Sequence, residues 1–135
     1  MSTERQIRGL WLGTKEGSKS DCEIVTVADD LSAYYDLLNC EFIDIARVKV
    51  RGREFEIVCD DEGLFVENNP VRFTSADFKY RIVGNIFVCA LDENSDGELR
   101  GLTDSELKVV KSRLAKDMDV KTGEARTVLI GDMLL

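Results

Sequence analysis

The chain has 135 residues, 44% hydrophobic and 33% charged, the composition of a folded globular domain rather than a disordered or membrane-embedded one. Lys plus Arg is 18 and Asp plus Glu is 26, for a net charge of −8, and histidine is absent. The negative balance argues against direct binding of nucleic acid or acidic membranes, and the missing imidazole removes the commonest general base, the commonest metal ligand and every Ser-His or Cys-His nucleophile pair.

Ile7 to Leu12 is a short apolar run ending at Gly13, and Glu23 to Val27 is rich in β-branched residues, so a first hairpin is expected. Asp29 and Asp30 offer N-cap oxygens to a helix from Leu31, with Leu31, Tyr34, Tyr35 and Leu38 on one face and Asn39 as its stop. Phe42 to Cys59 reads as a second hairpin about Arg51-Gly52. That turn sets Val48 opposite Phe55 and Ala46 opposite Ile57, and on the other face Lys49 opposite Glu54 and Arg47 opposite Glu56. Asp60 to Gly63 is a turn, followed by the run Leu64 to Val66 and the breaker Asn68-Asn69-Pro70. Residues 71–81 fit neither period, whereas Ile86 to Leu91 is continuously apolar and reads as a central strand. Thr103 to Glu106 is a capping box opening a helix whose buried stripe is Leu107, Val110, Leu114 and Met118. Gly123 marks a turn, Thr127 to Ile130 a last short strand, and Met133 to Leu135 an apolar end.

These elements predict an α+β fold: a mainly antiparallel sheet of five to six strands with two helices packed against it. A single domain spans 1–135, with 119–135 as a candidate C-terminal extension. Cys22, Cys40, Cys59 and Cys89 lack the close pair spacing of a zinc site, and Cys59 and Cys89 sit in strand-like runs, so buried free thiols are expected. The N-terminus shows no secretory apolar stretch and no run approaches the ~20 residues that span a bilayer, so a cytoplasmic location is expected.

From Ile24 to Leu114 the layout resembles the family known as domain of unknown function 3846. The residues that carry the likeness are LSAYYDLLNCEFIDI, EIVCDDEGLFVENN, IVGNIFVCALDENSDGE and the "LTD-x-E" helix LTDSELKVVKSRL, in that order. Arg47 to Arg53 and the segment after Met118 lie outside the pattern. The resemblance carries no activity or site residues. It implies a context: an accessory protein of a phage or mobile element of gut Gram-positive bacteria.

Three constellations stand out. Asp92-x-Asn94-x-Asp96-Gly97 matches the start of a calcium loop, but the twelfth position, where a bidentate Glu is needed, is Thr103. An acidic turn is the plainer reading, and a calcium-stabilised domain the sharper one. Arg47, Lys49, Arg51 and Arg53 alternate along a strand, with two of them opposite glutamates and Arg51 and Arg53 free at the turn. A solvated face is the plainer reading, and a site for a nucleotide phosphate or an acidic partner, with Tyr34 and Tyr35 of the first helix alongside for a small ligand, the sharper one. Between residues 60 and 100 nine acids face four bases, so Asp60, Asp61, Glu62, Glu93 and Glu98 could form an acidic partner surface of the kind a DNA mimic uses. No phosphate loop, dinucleotide fingerprint or nucleophile elbow is present, and no cofactor is expected. The expected function is therefore a non-enzymatic protein-interaction module acting on a host protein, as an inhibitor or DNA mimic, with Met133 to Leu135 as a homo-oligomer contact. Small-ligand binding is the alternative.

Overall fold

The computed structural model describes residues 5–18, 20–63, 69–118 and 123–134. β1 (Gln6–Leu12) and β2 (Cys22–Ala28) pair antiparallel along their whole length, from Gln6 opposite Ala28 to Leu12 opposite Cys22. In α1 (Leu31–Leu38) the Asp30 carboxylate accepts the Ala33 N–H at 2.7 Å, and Asn39 ends the helix in the left-handed region at φ 52°. β3 (Ile43–Val50) and β4 (Arg53–Asp60) form the second hairpin with the expected register, Val48 opposite Phe55 and Arg47 opposite Glu56.

The remaining elements are β5 (Val71–Ser75), β6 (Arg81–Val83), β7 (Ile86–Leu91), β8 (Leu99–Arg100), α2 (Asp104–Lys111), β9 (Leu114–Met118) and β10 (Ala125–Met133). The strand order is β2-β1-β7-β4-β3-β10-β5-β6, with β8 beside β7 and β9 beside β10. Every pairing is antiparallel except that of β10 with β5.

This corrects the expected α+β fold with five to six antiparallel strands. The described residues form ten strands in one mixed sheet with two eight-residue helices, a mostly β protein. Besides the two-residue β8, three misreadings account for the difference. Residues 71–81 supply β5 and the start of β6, but buried Arg72, Thr74 and Ser75 hide the strand alternation. The second helix stops at Lys111, so Leu114 and Met118 belong not to its stripe but to β9, which pairs with Ala125 to Leu129; cross-strand bonding there overrides a helical spacing that four apolar residues happened to fit. The last strand is nine residues long and reaches Met133, the first residue of the expected apolar end. Asp132 lies opposite Lys49, Met133 opposite Val48, and the Leu134 N–H donates to the Arg47 carbonyl at 3.0 Å. Met133 is partly buried against the core. Leu135, the Leu64 to Val66 run and Asn68 lie outside the described residues.

The central strands bury both faces. On one, Leu10, Leu12, Val48, Phe55, Ile57 and Val88 pack with Leu107 and Val110 of α2 and with Phe73 and Leu129 from β5 and β10. On the other, Ile7, Trp11, Val58, Phe87 and Cys89 pack with Tyr34 and Leu38 of α1. A polar clasp draws the ends of the strand order together. Arg72, only 2% exposed, donates through Nη1 to Asp21 at 3.0 Å and through Nη2 to Thr14 Oγ1 at 2.9 Å. Asp21 also accepts the Thr127 N–H at 2.6 Å and its hydroxyl at 2.8 Å. Burial pushes the Asp21 carboxyl up, but these bonds and the Lys116 charge outweigh it and hold the group below its ordinary value.

All four cysteines are free thiols. Cys59 and Cys89 are buried, Cys22 and Cys40 half-buried. Burial raises all four, Cys40 to about 11 and Cys59 to about 12, so they stay protonated and unreactive near neutral pH. Among the described residues no helix is long and apolar enough to cross a membrane.

Candidate functional site

The β3–β4 turn is the two-residue kind that needs positive φ at both central positions, and Arg51 (φ 51°) and Gly52 (φ 79°) supply it. Glycine adopts that conformation freely; Arg51 is held there by its Nε, which donates to Ser112 Oγ at 2.6 Å just past α2. Beyond the turn, alternation puts Val48, Val50, Phe55 and Ile57 into the core. Arg47, Lys49, Glu54 and Glu56 fall on the opposite face, which α1 does not cover at this end.

β4 and β7 pair from Cys59 opposite Ile86 to Glu56 opposite Cys89, and there the pairing stops. Where the strands part they frame a cleft of about 390 Å³. Arg53, Glu54 and Glu56 line it from β4, Ala90 and Leu91 from β7, Arg47 and Lys49 from β3, with Glu93, Arg100 and Glu106 completing it. Arg47, Glu54, Glu56 and Leu91 are shared with a more open depression of about 590 Å³ that reaches Ile45, Leu99 and Leu134, so the two form one groove.

Its floor is made of carboxylates. The side chains of Glu56 and Glu106 are each 6% exposed. Glu56 accepts from Arg47 Nε at 2.8 Å. Glu106 accepts from both Arg100 terminal nitrogens, at 2.7 and 3.0 Å, and from the Thr103 N–H at 2.9 Å, with Arg53 3.8 Å away. The Arg100 hydrogen bonds lead in holding Glu106 down, to about 2, against burial, which alone would raise it. The same bonds push the Arg47 and Arg100 guanidinium groups up. Above the floor the side chains of Arg47 and Arg53 remain about half exposed, and Lys49 makes no ion pair among the described residues. A carboxylate held near 2 does not trade protons near neutral pH, so Glu106 is no general acid there. The lining balances four bases with four acids, but Glu56 and Glu106 are buried beneath their arginines, so between the exposed Glu54 and Glu93 the groove offers the outward donors of Arg47, Lys49 and Arg53 to an anionic group.

The structure distributes the predicted residues unevenly. Arg53 lines the cleft; Arg51 is turned away to Ser112. Tyr34 is buried on α1, its hydroxyl donating to Asp29 at 2.8 Å, and burial pushes its pKa well up. Neither Tyr34 nor the half-buried Tyr35 lines the cleft, so the expected arginine–tyrosine pocket is not assembled. Asp92, Asn94 and Asp96 lie in the β7–β8 loop. Asp92 accepts the Asn94 N–H at 3.0 Å, and the Arg5 guanidinium already bridges Asp92 (3.1 Å) and Glu98 (2.6 Å). Among the described residues no group of three or more Asp, Glu or Cys is placed to hold a metal ion. Asp60, Asp61 and Glu62 sit at the far end of β4 from Glu93 and Glu98, since Cys59 lies opposite Ile86 while Glu93 follows Leu91. The five acids therefore do not make one patch.

Sequence reasoning missed Arg100 and Glu106 as parts of the site. Glu106 was visible as the closing residue of the capping box, and that same position points it at Arg100; no sequence signal marks Arg100.

A family model described as "Domain of unknown function (DUF3846)" matches residues 14–115 of the chain. No curated protein and no solved structure matches it.

Proposed function

We propose that this protein, which belongs to the DUF3846 family, is a non-enzymatic binding module whose groove at the β4–β7 fork takes an acidic segment of a partner protein. The observation that carries the reading is the layering of the groove: buried Glu56 holds Arg47 through its Nε, and buried Glu106, its charge met by Arg100, faces Arg53, leaving the terminal N–H groups of Arg47 and Arg53 and the Lys49 ammonium for an incoming carboxylate or phosphate. Preset donors lose little side-chain freedom on binding, which favours affinity. The exposed Ile45, which lines the open part of the groove, supplies apolar contact beside the charges. A host protein as partner, a cytoplasmic setting and an accessory role on a phage or mobile element belong to the same proposal, and the last rests on the family resemblance alone.

An array of acidic, basic and neutral peptides, probed with the wild type and with Lys49→Glu, tests it. Acidic peptides should bind selectively and lose at least about tenfold in affinity with the variant, one charge contact being worth about 1.4 kcal/mol or more. An array with no preference for acidic peptides, or one unmoved by Lys49→Glu, overturns the reading.

A further inference from the structure

The strand order ends in β2 on one side and β6 on the other. β6 has three residues and joins β5 through an irregular register, whereas β2 is seven residues long and pairs with β1 without a break. Natural edge strands are usually defended by lysine, proline, a bulge or shortness. β2, with the sequence CEIVTVA, has none of these, and its one charge is Glu23.

The hydrogen bonds show which groups of β2 point outward. Asp21 and Asp29, which flank the strand, bond to Gly13 and Arg5 across from them. Odd-numbered residues therefore address β1, and Cys22, Ile24, Thr26 and Ala28 turn their N–H and C=O groups away from the sheet. The end carbonyls are already used: Cys22 accepts from the Ser20 hydroxyl at 3.2 Å and Ala28 from the Asp30 N–H at 2.9 Å. What remains among the described residues is a complete donor–acceptor set at Ile24 and another at Thr26, spaced evenly about Val25.

We infer that β2 is a self-association edge, pairing antiparallel with β2 of a second copy about a two-fold axis through Val25. In that register Ile24 lies opposite Thr26 of the second copy and the reverse, so both free sets are satisfied by four backbone hydrogen bonds. The flanking Cys22–Ala28 pairs meet carbonyls already taken by Ser20 and Asp30, but every free set is matched, whereas moving the axis to Ile24 or Thr26 would set one of the two free sets itself against such a carbonyl. Side chains agree with the centred register. Val25 faces its own copy, Glu23 faces Val27, and no two glutamates are opposed. Ile24, 47% exposed in the single chain, gains cover from the neighbouring Thr26. An isologous contact closes on itself, which protects an edge that would otherwise recruit strands indefinitely. This surface is distinct from the β4–β7 groove, so either proposal can fail without the other.

Sedimentation equilibrium from micromolar to about half-millimolar concentration tests it on the full chain and three variants. The wild type should shift from 15.2 kDa toward twice that mass. The double variant Ile24→Lys/Thr26→Lys places lysines opposite lysines and should weaken association at least tenfold. The variant Ile24→Lys/Thr26→Glu instead sets a lysine of each copy opposite a glutamate of the other, and should restore it. Thr26→Pro removes an outward N–H at a position where an edge strand accepts proline, and should also give monomer if the double-lysine variant does not fold. A wild type that stays at the single-chain mass overturns the inference. So does a double-lysine variant that associates like the wild type, or a lysine–glutamate variant no tighter than the double-lysine one.

Discussion

At the scale of single residues, Glu106 does two things at once. Its carboxylate closes the N-terminus of α2 by taking the Thr103 N–H, and it anchors Arg100 and faces Arg53 in the groove. Because its folded-state pKa is lowered from 4.5 to about 2, its contribution is fully present above about pH 4.5 and is lost as pH falls toward 2. Glu106→Gln should therefore cost about 2 kcal/mol at pH 7, the worth of hydrogen bonds to a charged group, and the gap should close as denaturant titrations move from about pH 5 to about pH 2.5. A gap of equal size at both ends of that range would mean that the charge contributes nothing. Arg72 and Asp21 illustrate the opposite kind of residue, a partner pair 51 positions apart that no local pattern announces. Nothing in the sequence around either of them shows that the other lies opposite.

At the scale of elements, β1 depends on a residue that has no side chain. A Cβ at Gly9 would fall against the Val88 carbonyl oxygen and within 2.6 Å of the Phe87 ring, so β1 lies against β7 only because that position is empty. Gly9→Ala should cost about 2 kcal/mol or more in thermal or chemical unfolding, as overpacking does, and a neutral result would show that the strands have room to part. The elements that were legible in sequence are those built from local signals. The β3–β4 register follows from one turn and one alternation, and both caps of α1 and the box of α2 follow from short polar side chains at fixed offsets. β5, β8 and β9 were not legible, because what makes them strands is a neighbour distant in sequence or hidden behind a loop: β10 for two of them and β7 for the third. The candidate site divides in the same way. Its β3–β4 wall was readable as paired charges, while the acids between 60 and 100 looked like one feature and were separated by the length of β7.

At the scale of the whole molecule, the sheet is held by pairings between distant segments. β10 bonds to β5 and β3, β1 bonds to β7, and Asp21 reaches Thr127. Closing such loops before any contact rewards them makes folding slow, so refolding followed by the single, buried Trp11 should take milliseconds to seconds. A microsecond phase carrying the full amplitude would contradict this topology.

The position of β10 has a consequence for how the protein is made. Chain synthesis delivers β3 and β5 well before the strand that separates them, and until Ala125 to Met133 emerge both present open edges to the crowded space around the ribosome. The nascent chain thus passes through an interval in which its most adhesive surfaces have no native partner. A slowed or interrupted translation near residue 124 would prolong that interval, and would send the chain toward aggregates or chaperones rather than toward the finished sheet.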